Sequence, residues 1–306
     1  MTEIKLEGGI TVKTFEPPAG FDPFTAKPSD VVDRGFPERP VGGENLERYK
    51  RVIGQLKRKA NYIVPTFRVN DRFHGPRKRL TTEGTETSTN WSGGVIFAPS
   101  GQSFKWVQGD WVVPNVDAPT QNQWYYCANW IGVDGDGSGD VCQAGVECEV
   151  YRSGSSITRY IYPWWEWFPL SEVGITNFQI DPGDMVTMLI CTAGANSTSA
   201  SVFFANRTTG ASTSFSFNAP SGTKLVGNCA EWIVEAPTVG GSQSALADYG
   251  EVFFSVCQAT LTNNSTLNGG TGNTINMTAG GSTVSTGTII TPTILQCQYV
   301  GTLPTA

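Results

Sequence analysis

Three stretches between residues 130 and 235 set a carboxylate or a carboxamide among large aromatics. They are Trp130-Ile-Gly-Val-Asp-Gly-Asp136, followed closely by Gln143-Ala-Gly145, then Pro163-Trp-Trp-Glu-Trp-Phe-Pro169, then Cys229-Ala-Glu-Trp-Ile-Val-Glu235. The single histidine of the 306 residues, His74, lies upstream in the basic run His74-Gly-Pro-Arg-Lys-Arg79. A proton-transfer site confined to these stretches must therefore work through carboxylates. The seven cysteines show no zinc spacing, and the region that holds them has no histidine for the common mixed ligand sets. No metal and no other cofactor is expected. One or more disulfides and buried free thiols both suit the cysteine pattern.

Strand periodicity sorts these residues into faces. Trp164, Glu166 and Phe168 share one face of their run, and Trp165 and Trp167 share the other. One face can pack in a core while the other lines a cleft, where desolvation would raise the pKa of Glu166. Glu231, Ile233 and Glu235 likewise share a face. Two carboxylates on one strand face, with a third at Glu166, suit acid/base chemistry; a solvated outer face with paired charges accounts for them equally simply. The loop bearing Asp134, Asp136 and Asp140 offers oxygen ligands of the kind calcium takes. It lacks an EF-hand pattern, and an irregular loop shaping a cleft is the simpler expectation. Gln143 taken alone is an ordinary polar residue.

These residues must be positioned by strands. From Asn90 onward, short runs rich in β-branched and aromatic residues alternate with Gly, Ser, Asn and Pro turns, which predicts an all-β sandwich of jelly-roll type. Upstream, residues 44–60 form the one helical candidate, with Leu46, Tyr49, Ile53 and Leu56 repeating on one side, and its simplest role is packing on its own domain. Residues 1–43 read as extended or turn structure. Residues 61–90 read as a polar basic linker whose His74–Arg79 run suits a cleavage site but reads more simply as a solvated loop. Charge divides the same way. Residues 1–90 carry 16 Lys and Arg against 12 Asp and Glu, and residues 91–306 carry 5 against 15. The acidic body argues against nucleic acid as ligand. No run reaches the roughly 20 apolar residues that span a bilayer, so no membrane partner is expected, and the start of the chain carries no recognisable signal peptide.

Taken in order, the three motifs resemble those of the glutamic endopeptidases, the eqolisin family. There a Trp-x-Gly-x-Asp-Gly stretch precedes the catalytic glutamine, here Trp130–Gly135 and then Gln143-Ala-Gly145. An aromatic-Glu-aromatic-aromatic-Pro element follows, here Trp164–Pro169. An Ala-Glu-aromatic-Ile-x-Glu element ends on the catalytic glutamate, here Ala230–Glu235. The mature domain of the family opens with Asn-Trp-x-Gly, here Asn90-Trp-Ser-Gly93. The segment Gly137–Cys142 departs from the fungal members in length and content, and Phe168 stands where a tyrosine is frequent.

The resemblance implies a concanavalin A-like antiparallel two-sheet β-sandwich spanning residues 86–306. It would be preceded by an irregular leader, residues 1–85, with one short helix. It implies acid-acting cleavage of polypeptides with Glu235 as general base and acid on water and Gln143 stabilising the oxyanion. Trp130, Asp134, Trp164, Glu166 and Phe168 match positions that line the family's cleft. A monomer acting outside the cell is expected, and the +4 leader on the −10 body suggests that the N-terminal segment is its own inhibitor. Two competing readings follow from the residues alone: a jelly-roll glycoside hydrolase using Glu166 with Glu231 or Glu235, and a carbohydrate-binding sandwich without catalysis.

Overall fold

The computed structural model describes residues 1–17, 20–34, 36–40, 43–57, 62–79 and 86–301. Two antiparallel sheets pack face to face. The first, which carries all three motifs, runs in the order Phe67–Val69, Val173–Ile175, Ser156–Phe168, Val141–Ser153, Trp124–Val133, Cys229–Glu235, Trp91–Phe97, Asn273–Ala279. The second runs Thr2–Lys5, Thr11–Thr14, Ser212–Asn218, Ser199–Asn206, Met185–Thr192, Phe104–Val112, Glu251–Leu261, Ile294–Tyr299, Ser282–Thr291. The Asn273–Ala279 strand also pairs with Ser282–Thr291 and so joins the two.

Strict alternation along each strand builds the core between the sheets. On Val141–Ser153, residues Cys142, Ala144, Val146, Cys148 and Val150 enter the main core. Trp165 and Trp167 enter it as well, with Trp165 lying 4.1 Å from Phe217 of the opposite sheet. Trp232 reaches across, its indole N–H donating to the Gln108 carbonyl at 2.7 Å. The other side of the first sheet carries Trp91, Ala128, Trp130, Trp164 and Ile233 in a separate cluster with the half-buried Phe168. The faces expected for the two Trp/Glu strands are therefore the observed ones. All seven cysteines are buried free thiols, two of them, Cys142 and Cys148, inward-facing on one strand.

The N-terminal segment is more regular than the irregular leader with one helix that the sequence suggests. Its strands extend both sheets: Thr11–Thr14 continues the second sheet beyond Ser212–Asn218, and Phe67–Val69 continues the first beyond Val173–Ile175. Free backbone N–H and C=O groups at each edge are what recruit them, and local periodicity does not reveal so non-local a pairing. A short helix, Pro28–Val32, precedes the expected one, Gly43–Lys57. Tyr49, Val52 and Ile53 of the longer helix pack on Leu189, Cys191 and Phe203 of the second sheet, so it serves its own domain. The side chain of Leu56 and the expected boundary at 85/86 lie outside the described residues.

Candidate active site

Gln143 and Glu235 stand on strands separated by one other, Trp124–Val133. Gln143 pairs with Gly132 and Glu235 with Ala128, so the two residues lie two strands apart, roughly 10 Å, and four residues apart along the intervening strand. Both side chains leave the same face, with a gap between them. Both are buried, Gln143 completely and Glu235 to 1% exposure. The intervening strand supplies the support. Trp130 folds its indole over Gly132, where an added Cβ would meet the ring at 2.8 Å, and this places its N–H 3.0 Å from Glu235 Oε2. Asn90, the first residue of Asn-Trp-Ser-Gly, donates its amide to Glu235 Oε1 at 3.3 Å. Burial raises the pKa of Glu235, opposed by His74, Asn90 and Trp130, all of which favour the carboxylate.

The gap is filled by the chain's own N-terminal segment. The basic run is not the solvated loop its composition suggests: His74 is completely buried. Residues leading into it pair on one side with the first sheet, where Asn70 N–H donates to Glu172 O at 2.9 Å and Glu172 N–H to Arg72 O at 2.9 Å. On the other side Arg72–Phe73 pairs with Thr238–Val239, just beyond Glu235. This extended entry carries the His74 main chain across the site. Gln143 Nε2 donates to the His74 carbonyl, and the His74 N–H donates to both oxygens of Glu166 at 3.2 and 3.0 Å. Phe168 lies against Gly75, 3.5 Å from where a Cβ would stand. Beyond, Arg77 and Arg79 converge on Asp136, with Arg77 Nη1 2.8 Å from Oδ2 and Arg79 Nε 2.8 Å from Oδ1.

The His74 ring stacks on Trp164 at 3.7 Å between centroids and 9° between planes. Nε2 lies 2.9 Å from Glu172 Oε2 and 3.7 Å from Glu147 Oε2, and Nδ1 lies 3.6 Å from Glu235 Oε2. Burial alone would lower the imidazole pKa, but its bond to Glu172, the Glu235 carboxyl 3.6 Å away and the other nearby carboxylates raise it well above 6.5. Burial pushes the Glu166 and Glu147 carboxyls well above the usual range. His74 and one oxygen each of Glu147 and Glu172 lie within 4.8 Å of one another, near enough to share a divalent ion. The imidazole instead closes directly onto Glu172.

The structure thus brings together Gln143, Glu235, Trp130, Trp164, Glu166 and Phe168. It does not bring in Asp134, whose carboxylate accepts the backbone N–H groups of Val226, Gly227 and Asn228 at 2.7, 3.0 and 2.9 Å and fixes that loop. Asp140 accepts the Trp167 indole N–H at 3.3 Å. With Asp136 on the two arginines, all three loop carboxylates hold protein donors, and the loop shapes the cleft. Glu231 turns away to the Cys229 thiol, which donates at 2.9 Å. Sequence reasoning passes over His74, Asn90, Glu147 and Glu172 as parts of the site. Alternation from Gln143 would put Glu147 on the cleft face. Nothing local marks His74, which reaches the site only through edge pairing.

A buried carboxamide and a buried carboxylate thus share the outer face of one sheet of a β-sandwich, and His74 touches both. Residues 89–299 match the profile of the Peptidase A4 family. The chain is 32% identical over 197 residues to aspergillopepsin-2 of Aspergillus niger, covering 58% of this chain and 67% of that protein. It is 26% identical over 163 residues to scytalidopepsin B of Scytalidium lignicola, covering 52% and 56%, so it spans little more than half of that relative. The crystal structure of aspergilloglutamic peptidase from Aspergillus niger superposes with a TM-score of 0.52 at 28% identity, over 57% of this chain and 99% of the other. Scytalido-glutamic peptidase with a transition state analog inhibitor shares the fold, with a TM-score of 0.60 at 23% identity over 69% and 98%. The chain belongs to the Peptidase A4 family, the glutamic peptidases, and is a peptide hydrolase. Membership leaves the glycoside hydrolase and carbohydrate-binding readings without support.

Proposed function

We propose that the protein is an acid-acting endopeptidase in which Glu235 and Gln143 form the catalytic dyad and residues 1–85 act as an inhibitory leader. The observation that carries this reading is the His74 main chain, whose carbonyl accepts from Gln143 while its residue contacts Glu235. A polypeptide substrate in the same place would offer its carbonyl to the same amide. Glu235 takes a proton from water as the oxygen adds to the carbonyl carbon, Gln143 donates to the resulting oxyanion, and the proton passes to the leaving nitrogen. A carboxamide donor does not titrate in acid, so it keeps its role where a free imidazole base, with a pKa near ~6.5, would be protonated.

Trp130 and Asn90 hold the Glu235 carboxylate, Trp164 and Phe168 wall the cleft, and Glu166 holds the N–H of the residue whose carbonyl faces Gln143. Asp134 supports the cleft from behind. The leader is held by charge, with Arg72 on Glu149 at 2.8 Å and Arg77 on Asp136, and protonation of body carboxylates in acid loosens it. We place the action outside the cell, as the family resemblance implies, and take the enzyme to be a monomer. Casein digestion at about pH 4 by wild type, Gln143→Ala and Glu235→Gln tests the dyad. Hydrolysis by wild type that is lost in both variants supports it, and hydrolysis retained in either overturns it.

A further inference from the structure

Behind the dyad lies a closed pocket with more chemistry than peptide hydrolysis requires. Its floor is Trp164, and its far end is formed by Glu147 and Glu172, all three at most 1% exposed. Both carboxylate oxygens of Glu147 are buried without a hydrogen-bond partner. The groups behind it are already engaged, since Glu149 accepts from the Tyr162 hydroxyl at 3.0 Å and pairs with Arg72 at 2.8 Å. A buried carboxyl group without a hydrogen-bond partner is costly, so this end of the pocket favours an occupant that brings a donor or a positive charge. Such an occupant must lie along Trp164, whose ring face favours a flat or cationic group.

We infer that this pocket is the subsite for the residue on the acyl side of the cleaved bond, that Glu147 and Glu172 select a flat cationic side chain there, and that His74–Gly75 is the first bond the enzyme cuts in its own chain. The inference rests on the Gln143/Glu235 reading. Given that dyad, the carbonyl held by Gln143 belongs to the residue whose bond is cut, and that residue is His74. Its side chain fills the pocket as a substrate side chain would: stacked on Trp164, with Nε2 on Glu172 and beside Glu147. Glu166 anchors its N–H. The next residue has no side chain, and Phe168 closes over it, so the peptide unit can lie deep between the two catalytic groups. In the cleavage, water adds to the His74 carbonyl carbon and the C–N bond to Gly75 breaks. The Gly75 nitrogen takes a proton, which leaves a carboxyl group on His74 and an amine on Gly75. A phenyl or methyl side chain would fit the same space but would leave Glu147 without a partner and Glu172 with only the Asn70 amide on its other oxygen.

The test uses a synthetic peptide with the sequence of residues 70–79, together with its His74→Phe and His74→Ala versions. Acid-treated wild type, Glu147→Gln and Glu172→Gln act on each at about pH 4, with products identified by mass. Casein is digested in parallel by wild type and Gln143→Ala. The expected cut is between His74 and Gly75. The wild-type kcat/KM should favour the His peptide over the Phe and Ala versions by at least about tenfold. In Glu172→Gln and Glu147→Gln the His-to-Phe ratio should fall toward one. In the full chain, the first new N-terminus after acidification should be Gly75. If casein is digested by wild type and not by Gln143→Ala, but the peptide is cut elsewhere or the His-to-Phe ratio is the same in all three enzymes, the subsite assignment is overturned while the dyad stands. If Gln143→Ala still digests casein, the dyad reading fails and this inference falls with it.

Discussion

The hydrogen bond from Trp130 to Glu235 can be removed without touching the carboxylate itself, and its loss should be visible in a pH profile. The indole N–H lies 3.0 Å from Oε2 in a site where Glu235 is 1% exposed. A hydrogen bond to a charged group contributes about 1.5–3 kcal/mol. At about 1.36 kcal/mol per pKa unit, Trp130→Phe should raise the Glu235 pKa by about 1–2, since the bond favours the ionised form. The assay is kcat/KM for a peptide substrate between pH 2 and 7, which reports the free enzyme. The limb governed by Glu235 should move upward by that amount. Where the carboxylate is the working form, activity at low pH falls; where the acid form starts the reaction, activity extends toward neutrality, so the direction also gives the order of proton steps. Trp91→Phe is the control. Its ring meets Trp130 edge-on at 4.9 Å between centroids, and its indole N–H has no partner among the described residues, so the same loss of ring volume leaves the carboxylate alone. Folded variants whose profiles both superimpose on wild type would refute Glu235 as the titrating group.

Gln143→Ala should lower kcat by about 10²–10³, the cost of removing one oxyanion donor, with little change in KM, as steady-state kinetics on a peptide substrate will show. Arg77→Ala removes a cation that is 2% exposed from a fully buried Asp136. Asp136 keeps Arg79, so the loss is that of a hydrogen bond to a charged group, at least about 1.5 kcal/mol, and the full chain should gain activity on acidification at least about tenfold faster, read as a shorter lag in peptide hydrolysis. Burial raises the Glu231 carboxyl well above the usual range. The folded chain therefore keeps a proton that the unfolded chain releases, and stability falls as pH rises from the ordinary glutamate value toward the raised one. Glu231→Gln should cancel this, raising Tm at pH 7 relative to pH 4 by about 2 °C for every tenfold by which burial had strengthened proton binding, measured by thermal scans at both pH values.

The residues on the body's own strands are readable because a strand writes its two faces into alternate positions. Trp164, Glu166 and Phe168 against Trp165 and Trp167, and Glu231 and Glu235 against Trp232 and Val234, need only a period of two. The same rule carries the sandwich and puts Gln143 and Glu235 on the outer faces of their strands; that both strands flank Trp124–Val133 is decided by the fold. It fails for Asp134, because the sequence does not show that three backbone N–H groups of the 226–228 loop converge on that carboxylate. It fails for Glu231, which shares a face with Glu235 yet lies four residues away and is spent on Cys229.

By itself, the sequence determined the faces, the absence of histidine from the body and the charge division, since each is local or compositional; the dyad candidates followed from the resemblance of its ordered motifs to a family. Tertiary structure alone decided that the one histidine of the chain returns to the site. His74 lies 69 positions before Gln143 and 161 before Glu235. It arrives because the open edge at Val173–Ile175 recruits Phe67–Val69, and Thr238–Val239 recruits Arg72–Phe73. Edge pairing is driven by backbone groups that every residue carries, so it leaves almost no mark in side-chain pattern. A basic stretch that composition assigns to solvent thereby becomes the buried occupant of an acidic cleft.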